Sequence, residues 1–192
     1  QHTSLVVQAV LLATIIALVL AVIVIRNNRL KGLANIFSAV GLTIPSFALL
    51  GVLLPLVGIG ALPSVLAVCF YAVLPILRNA VVGLESVDKN LLESAQGMGM
   101  SKAATLLKVR LPMAWPVILA GVRTSTQMSF GVGAIAAYAL GPGLGGYIFT
   151  GIRNRDGIAV VGAVTALVIV YLVMNLIVDL LYGALDPRIS HD

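Results

Sequence analysis

The residues of this chain whose types and spacing could do chemistry lie between Asp88 and Pro112. Asp88 is placed to cap a short helix by accepting the orphan backbone N–H groups of its first turn. Leu91, Leu92, Ala95 and Met98 follow at helical spacing and form an apolar stripe. Gly97 and Gly99 break that helix and permit a sharp turn or a close backbone approach. Ser101 can cap a second helix with its own apolar face of Leu106, Leu107 and Val109, and Pro112 and Pro116 reset the chain beyond it. The chemistry is non-covalent. A helical hairpin with an apolar face fills a groove on a partner, and Glu93 can pair with a basic group there or accept from a backbone amide. The alternative is an interfacial hairpin that packs only on its own bundle.

Other chemistries find no support. No Gly-x-x-x-x-Gly-Lys-Ser/Thr phosphate loop occurs, so the chain is not expected to bind or hydrolyse ATP. Gly141-x-Gly143-x-x-Gly146 formally satisfies the dinucleotide fingerprint, but it follows an apolar span, and the position twenty residues on is Ala166 rather than an acid. It reads as a tight glycine-built turn. Cys69 stands alone in an apolar run, which excludes a disulfide framework or a cysteine metal cluster and suits a small core hydrophobe. His2 and His191 lie at opposite ends, and no Ser/His/Asp or Cys/His set is available within the apolar segments. No catalytic residue, metal ligand or cofactor site is expected.

The loop must be positioned by membrane spans. Of 192 residues, 60% are hydrophobic and 10% charged, with a mean hydropathy of +1.09, whereas soluble domains carry roughly 25% charged residues. A hydrocarbon core about 30 Å thick needs about 20 apolar helical residues. Five segments qualify or nearly so: Ser4 to Ile25, Ile36 to Val57, Ala61 to Leu77, Trp115 to Leu140 and Gly157 to Leu181. Their long unalternating runs predict helices, which satisfy their own backbone in lipid. The second carries Pro45 and Pro55, where a kink could line a pathway or simply serve packing. The third is expected to end near Pro75 and Arg78. Arg123 lies inside the fourth, either paired structurally with Asp179 or a backbone carbonyl, or acting in gating; Asp179 is expected at the interface. An ionisable residue within a span is a functional candidate by default.

The net charge of +5 and pI near 9.7 reflect topology rather than nucleic-acid binding. Arg26, Arg29, Lys31, Arg78, Lys89, Lys102, Lys108, Arg110 and Arg188 fall on one side, nine against the two of Arg153 and Arg155. By the positive-inside rule the N-terminus is outside, and the loop of about 78–114 and the C-terminus are cytoplasmic. There is no cleavable signal-peptide pattern, and the start at Gln1 rather than Met suits a trimmed sequence. No repeat or linker divides residues 1–192, which read as a single membrane domain.

Written out, Glu93-x-Ala95-x-x-x-Gly99, nine further residues and Val109-x-Leu111-Pro112 resemble the EAA motif of binding-protein-dependent ABC transporter permeases. Ser94 stands for the middle alanine and Val109 for the usual isoleucine. Thr43-Ile44-Pro45-Ser46-Phe47-Ala48-Leu49-Leu50, Leu74-Pro75-Ile76-Leu77-Arg78-Asn79, Pro116 to Thr124 and Gly141 to Gly146 look like the branch for glycine betaine, choline and carnitine. Methionine permeases share some of these stretches. The resemblance implies an all-α type I ABC importer permease fold in a bacterial cytoplasmic membrane. It implies that Glu93, Ala95, Gly97, Gly99, Ser101, Val109, Leu111 and Pro112 form the coupling loop, with Pro45 and Arg123 on a pathway or gate. It also implies two copies of an ATPase that binds ATP and Mg, a second permease chain, identical or similar, and an extracytoplasmic binding protein. Recognition of a quaternary amine usually takes an aromatic cage. One Trp, five Tyr and five Phe without an evident cluster put specificity in the delivery protein. The alternatives are a permease of this architecture for an amino acid such as methionine or histidine, or a secondary transporter or channel. The latter usually shows inverted repeats, which are not visible here. An enzyme is more distant still.

Overall fold

The computed structural model describes residues 1–185; Arg188 and His191, used in the charge and metal arguments, lie outside them. All the regular secondary structure of the described residues is helical. It comprises α1 (His2–Val24), α2 (Asn28–Gly41), α3 (Ser46–Val57), α4 (Ala61–Glu85), α5 (Lys89–Gly97), α6 (Lys102–Thr105), α7 (Leu111–Ala136), α8 (Gly145–Arg153) and α9 (Gly157–Leu185).

The bundle is organised around α4, which packs against α7 and α1. On α1, Ala9, Ala13, Ala17 and Ala21 recur every fourth residue and are fully buried, while Leu11, Ile15, Val19 and Ile23 face outward. Lipid is as apolar as leucine, so small residues mark the side where two helices approach closely. The same device brings α7 onto α4. A Cβ on Gly121 would lie 2.7 Å from the Asn79 Cβ and 3.1 Å from the Pro75 carbonyl oxygen, and one on Gly83 would lie 3.0 Å from the Ala114 carbonyl oxygen. Polar side chains stitch the pair: Ser125 donates to the Ala72 carbonyl at 2.7 Å and Ser64 to the Ala136 carbonyl at 3.1 Å.

Three sequence expectations are corrected. The second span is not one helix, because α2 and α3 meet at 99°. Pro45 starts α3 with an extended backbone, and its ring keeps Ile44 out of the helical region. It therefore marks the corner of the bent pair. Among the described residues four helices, counting Lys102–Ala139 as one, are each long and apolar enough to cross a membrane, and the bent pair taken together makes a fifth crossing. The third span does not stop at Leu77. It runs through Pro75 and the exposed Arg78 to Glu85, because the opposite face stays apolar, with Ala80, Val81 and Leu84 fully buried.

The third correction concerns Pro112 and Pro116, which do not interrupt the chain. From Lys102 to Ala139 it is one helical path of 38 residues. Leu106–Arg110 forms a π-helical turn in which the Leu111 N–H reaches back to the Leu106 carbonyl. The wider turn sits where the Pro112 ring would otherwise crowd the preceding carbonyls. At the far end, the glycine-rich segment is a turn that leads into a helix. Leu140 adopts a left-handed conformation at φ 61, and α8 then folds back beside α7 and α9 before Asp156 caps α9 through the Ala159 N–H at 2.9 Å.

Candidate coupling loop and membrane polar sites

The loop between α4 and α7 has the caps read from its sequence. Asp88 accepts from the Asn90 N–H at 2.9 Å and Ser101 from the Ala104 N–H at 3.2 Å. The turn between them is a Schellman motif, with Met100 N–H to the Ala95 carbonyl at 3.1 Å and Gly99 N–H to the Gln96 carbonyl at 2.9 Å. This closure requires the residue after the cap to be left-handed, and Gly99 has φ +86. Gly97 has no such demand. A Cβ at either glycine meets nothing within 4 Å in this chain, so the space beside both is open to a partner.

The apolar stripe of α5 divides. Ala95 is buried and Leu92 packs on the core, whereas Met98 is 76% exposed. Leu107 is 63% exposed on the next turn, and Glu93 is exposed, with no ion pair among the described residues. Ala95 and Leu92 are thus seated on the bundle, while Met98, Leu107 and Glu93 are left exposed. Val109 lies in the π turn, and Leu111 and Pro112 begin α7. These three lie where the loop runs on into the span.

Two contacts fix the root of the hairpin. Arg110 donates from Nε to the Leu84 carbonyl at 2.7 Å, and Lys31 pairs with Glu85. A cavity of about 460 Å³ bordered by Arg26, Lys102 and Arg110 lies between α1 and the hairpin.

Within the spans, Arg123 Nε stands 2.6 Å from Asp179 Oδ1, although the contact is not aligned as a hydrogen bond. The Arg123 guanidinium carbon lies 5.9 Å from the Tyr182 ring centroid. Of the sequence alternatives for Arg123, the structure contains the pair with Asp179. Gln127 donates to Asn175 on the same two helices. Pro45 lies apart from both, at the α2–α3 corner.

An aromatic cluster escaped the sequence reading, which found none evident. Phe47 on α3, Tyr138 after α7 and Phe149 on α8 pack edge to face with centroids 5.4, 6.1 and 5.6 Å apart. Their separation along the chain hid them. The turn chemistry of Leu140 to Gly145, which folds α8 back, was the only available signal.

With the geometry in place, comparison with known proteins is decisive for the family. Residues 9–191 match the family described as binding-protein-dependent transport system inner membrane component. The chain belongs to it. Among its relatives, the choline transport system permease protein OpuBB of Bacillus subtilis is 38% identical over 97% of this chain and 86% of that protein. The osmoprotectant import permease protein OsmW of Salmonella typhimurium is 38% identical over 98% and 90%. The glycine betaine/carnitine/choline transport system permease protein OpuCB of Bacillus subtilis is 35% identical over 98% and 87%. The fold matches a chain of the inward-facing MetNI methionine ABC transporter with a TM-score of 0.79 over 96% of this chain and 93% of that one, at 19% identity. The protein is therefore a multi-pass membrane component of a transport system with the type I importer permease fold, and the family is a transport subunit rather than an enzyme.

Proposed function

We propose that this chain forms the translocation pathway of a bacterial ABC importer for quaternary-amine osmoprotectants such as glycine betaine, choline or carnitine. Two such chains, identical or similar, enclose the pathway. Two ATPase subunits supply the ATP and Mg chemistry, and an extracytoplasmic protein delivers the substrate. The α5–α6 hairpin is the surface gripped by the ATPase, through Glu93, Ala95, Gly97, Gly99 and Ser101, with Val109, Leu111 and Pro112 transmitting movement into α7. The N-terminus is outside and the hairpin is cytoplasmic. Arg123 and Pro45 are the candidates for gating elements along the path.

The observation that carries the reading is the hairpin itself, rooted on α4 yet leaving Met98, Leu107 and Glu93 exposed. Its open space beside Gly97 and Gly99 fits a groove-filling element. The substrate class is supported by the relatives named for choline, carnitine and glycine betaine transport, whereas the likeness to a methionine transporter is one of fold. Reconstitution of the chain with its ATPase and binding protein tests it. Uptake of labelled glycine betaine or choline that requires all three components is expected; transport of methionine or histidine in their place would refute the substrate reading.

A further inference from the structure

At the end of α7 remote from the hairpin, an open cavity of about 470 Å³ is lined by Tyr138, Leu140, Phe149, Thr150 and Arg153 among others. The volume is in the range that small molecules occupy, roughly 300–1,000 Å³. Its two rings stand at a centroid distance of 5.6 Å and an angle of 66°, and Phe47 makes a T-shaped contact with each. Arg153 is exposed and makes no ion pair among the described residues. Aromatic faces attract cations, while a guanidinium attracts carboxylates in a two-pronged geometry. A simple cation would be repelled by Arg153, and a simple anion would gain nothing from the ring faces. A molecule carrying both a quaternary ammonium and a carboxylate satisfies both sides.

From this juxtaposition we infer that the cavity is a receiving site for a zwitterionic quaternary amine, the ammonium against Tyr138 and Phe149 and the carboxylate on Arg153. Thr150 adds a hydroxyl donor at its edge. The left-handed backbone of Leu140 is the device that turns α8 back and brings Phe149 and Arg153 to Tyr138. A non-glycine residue held there costs about 1 kcal/mol, and such positions gather where a site must be held in shape. The assignment deepens the osmoprotectant reading and rests on it, adding that the permease itself holds a zwitterion such as glycine betaine more tightly than a plain cation such as choline at its entrance.

The test is direct binding to the permease–ATPase complex in lipid nanodiscs, without the binding protein, using glycine betaine and choline as separate probes in calorimetric titrations. Saturable glycine betaine binding is expected. Arg153→Gln should weaken it about tenfold or more, by loss of a charge-assisted contact, and leave choline binding no weaker. Tyr138→Leu should weaken both probes. Absence of saturable glycine betaine binding would overturn the site and leave the rings as interfacial anchors of the kind found at membrane surfaces. Unchanged affinity in Arg153→Gln, or equal losses for both probes, would overturn it as well. Uptake by the complete transporter, measured in parallel, separates the two readings: uptake without entrance binding removes only this inference, whereas absence of quaternary-amine uptake removes the substrate assignment.

Discussion

Arg110 donates from Nε to the carbonyl oxygen of Leu84 across 2.7 Å, and this one contact ties the root of the hairpin to the last turn of α4. Leu84 is fully buried and its carbonyl lies in the terminal turn of its helix, where intrahelical partners run out. A charge-assisted hydrogen bond of this kind contributes roughly 1.5–3 kcal/mol. Arg110→Met should therefore leave the bundle folded but loosen the hairpin. In reconstituted transporter, the expected result is ATP hydrolysis retained with uptake per ATP reduced several-fold. Unchanged stoichiometry would mean that the contact carries no mechanical load.

Gly99 and Gly97 should separate by mechanism. At Gly99 the left-handed backbone itself is required, so Gly99→Leu should unwind the Schellman turn at a local cost of about 1 kcal/mol or more. ATPase co-purification and uptake should fall while membrane insertion persists. Gly99→Asn should recover part of the loss, because asparagine tolerates that conformation. Gly97→Ala should leave the chain at least as stable, since alanine is the better helix former and the space is open. Weakened ATPase binding in Gly97→Ala would locate a close approach by the partner at that position; full binding would exclude one.

Gly121 faces a different constraint. A side chain there meets the Asn79 Cβ and the Pro75 carbonyl rather than open space. Gly121→Val should push α7 from α4 and destabilise by about 1–3 kcal/mol. Thermal unfolding in detergent should register this as a lower midpoint, with Gly97→Ala as the unaffected comparison. An unshifted midpoint would argue against close packing of the two helices.

Deleting either member of the Arg123–Asp179 pair leaves its partner unmatched between spans. Arg123→Met and Asp179→Asn should each destabilise the protein, with the double variant less damaged than the sum of the two. The coupling expected from a double-mutant cycle is about 0.5–3 kcal/mol. Additive losses would show that the two charges do not support one another.

The proposed topology is open to cysteine labelling. Cys69 is buried, so background labelling should be low. Cysteines placed near Arg29 and Lys102 should resist a membrane-impermeant reagent applied outside, and those near Gly145 and Arg153 should react. Labelling of the first pair from outside would reverse the orientation.

What was legible depended on whether the relevant partners were close in the chain. Asp88, Ser101 and Gly99 act on their own neighbours, so the caps and turn of the hairpin follow from local chemistry. The alanine stripe of α1 went unread, although its helical spacing marks a packing face; its partner had to come from the structure. The corner at Pro45 was hidden because proline in a membrane helix is compatible with a straight span, a kink or a stop. Arg78 misled in the same way: a charge at one side of a helix does not end it when the other side remains apolar. The π turn leaves no residue signature of its own, and Phe47, Tyr138 and Phe149 meet only after three separate elements have folded together.

The thin attachment of α9 bears on how the protein is made. It is the last described span to leave the ribosome, and few residues of its most apolar stretch are fully buried. Apolar sides gain little from one another in lipid, where polar side-chain contacts help hold helices together. Its register on α7 is set by Gln127 with Asn175 and by Arg123 with Asp179. It is held to the helices before it by these polar pairs together with the packing of Val170, Tyr171 and Met174 on the core.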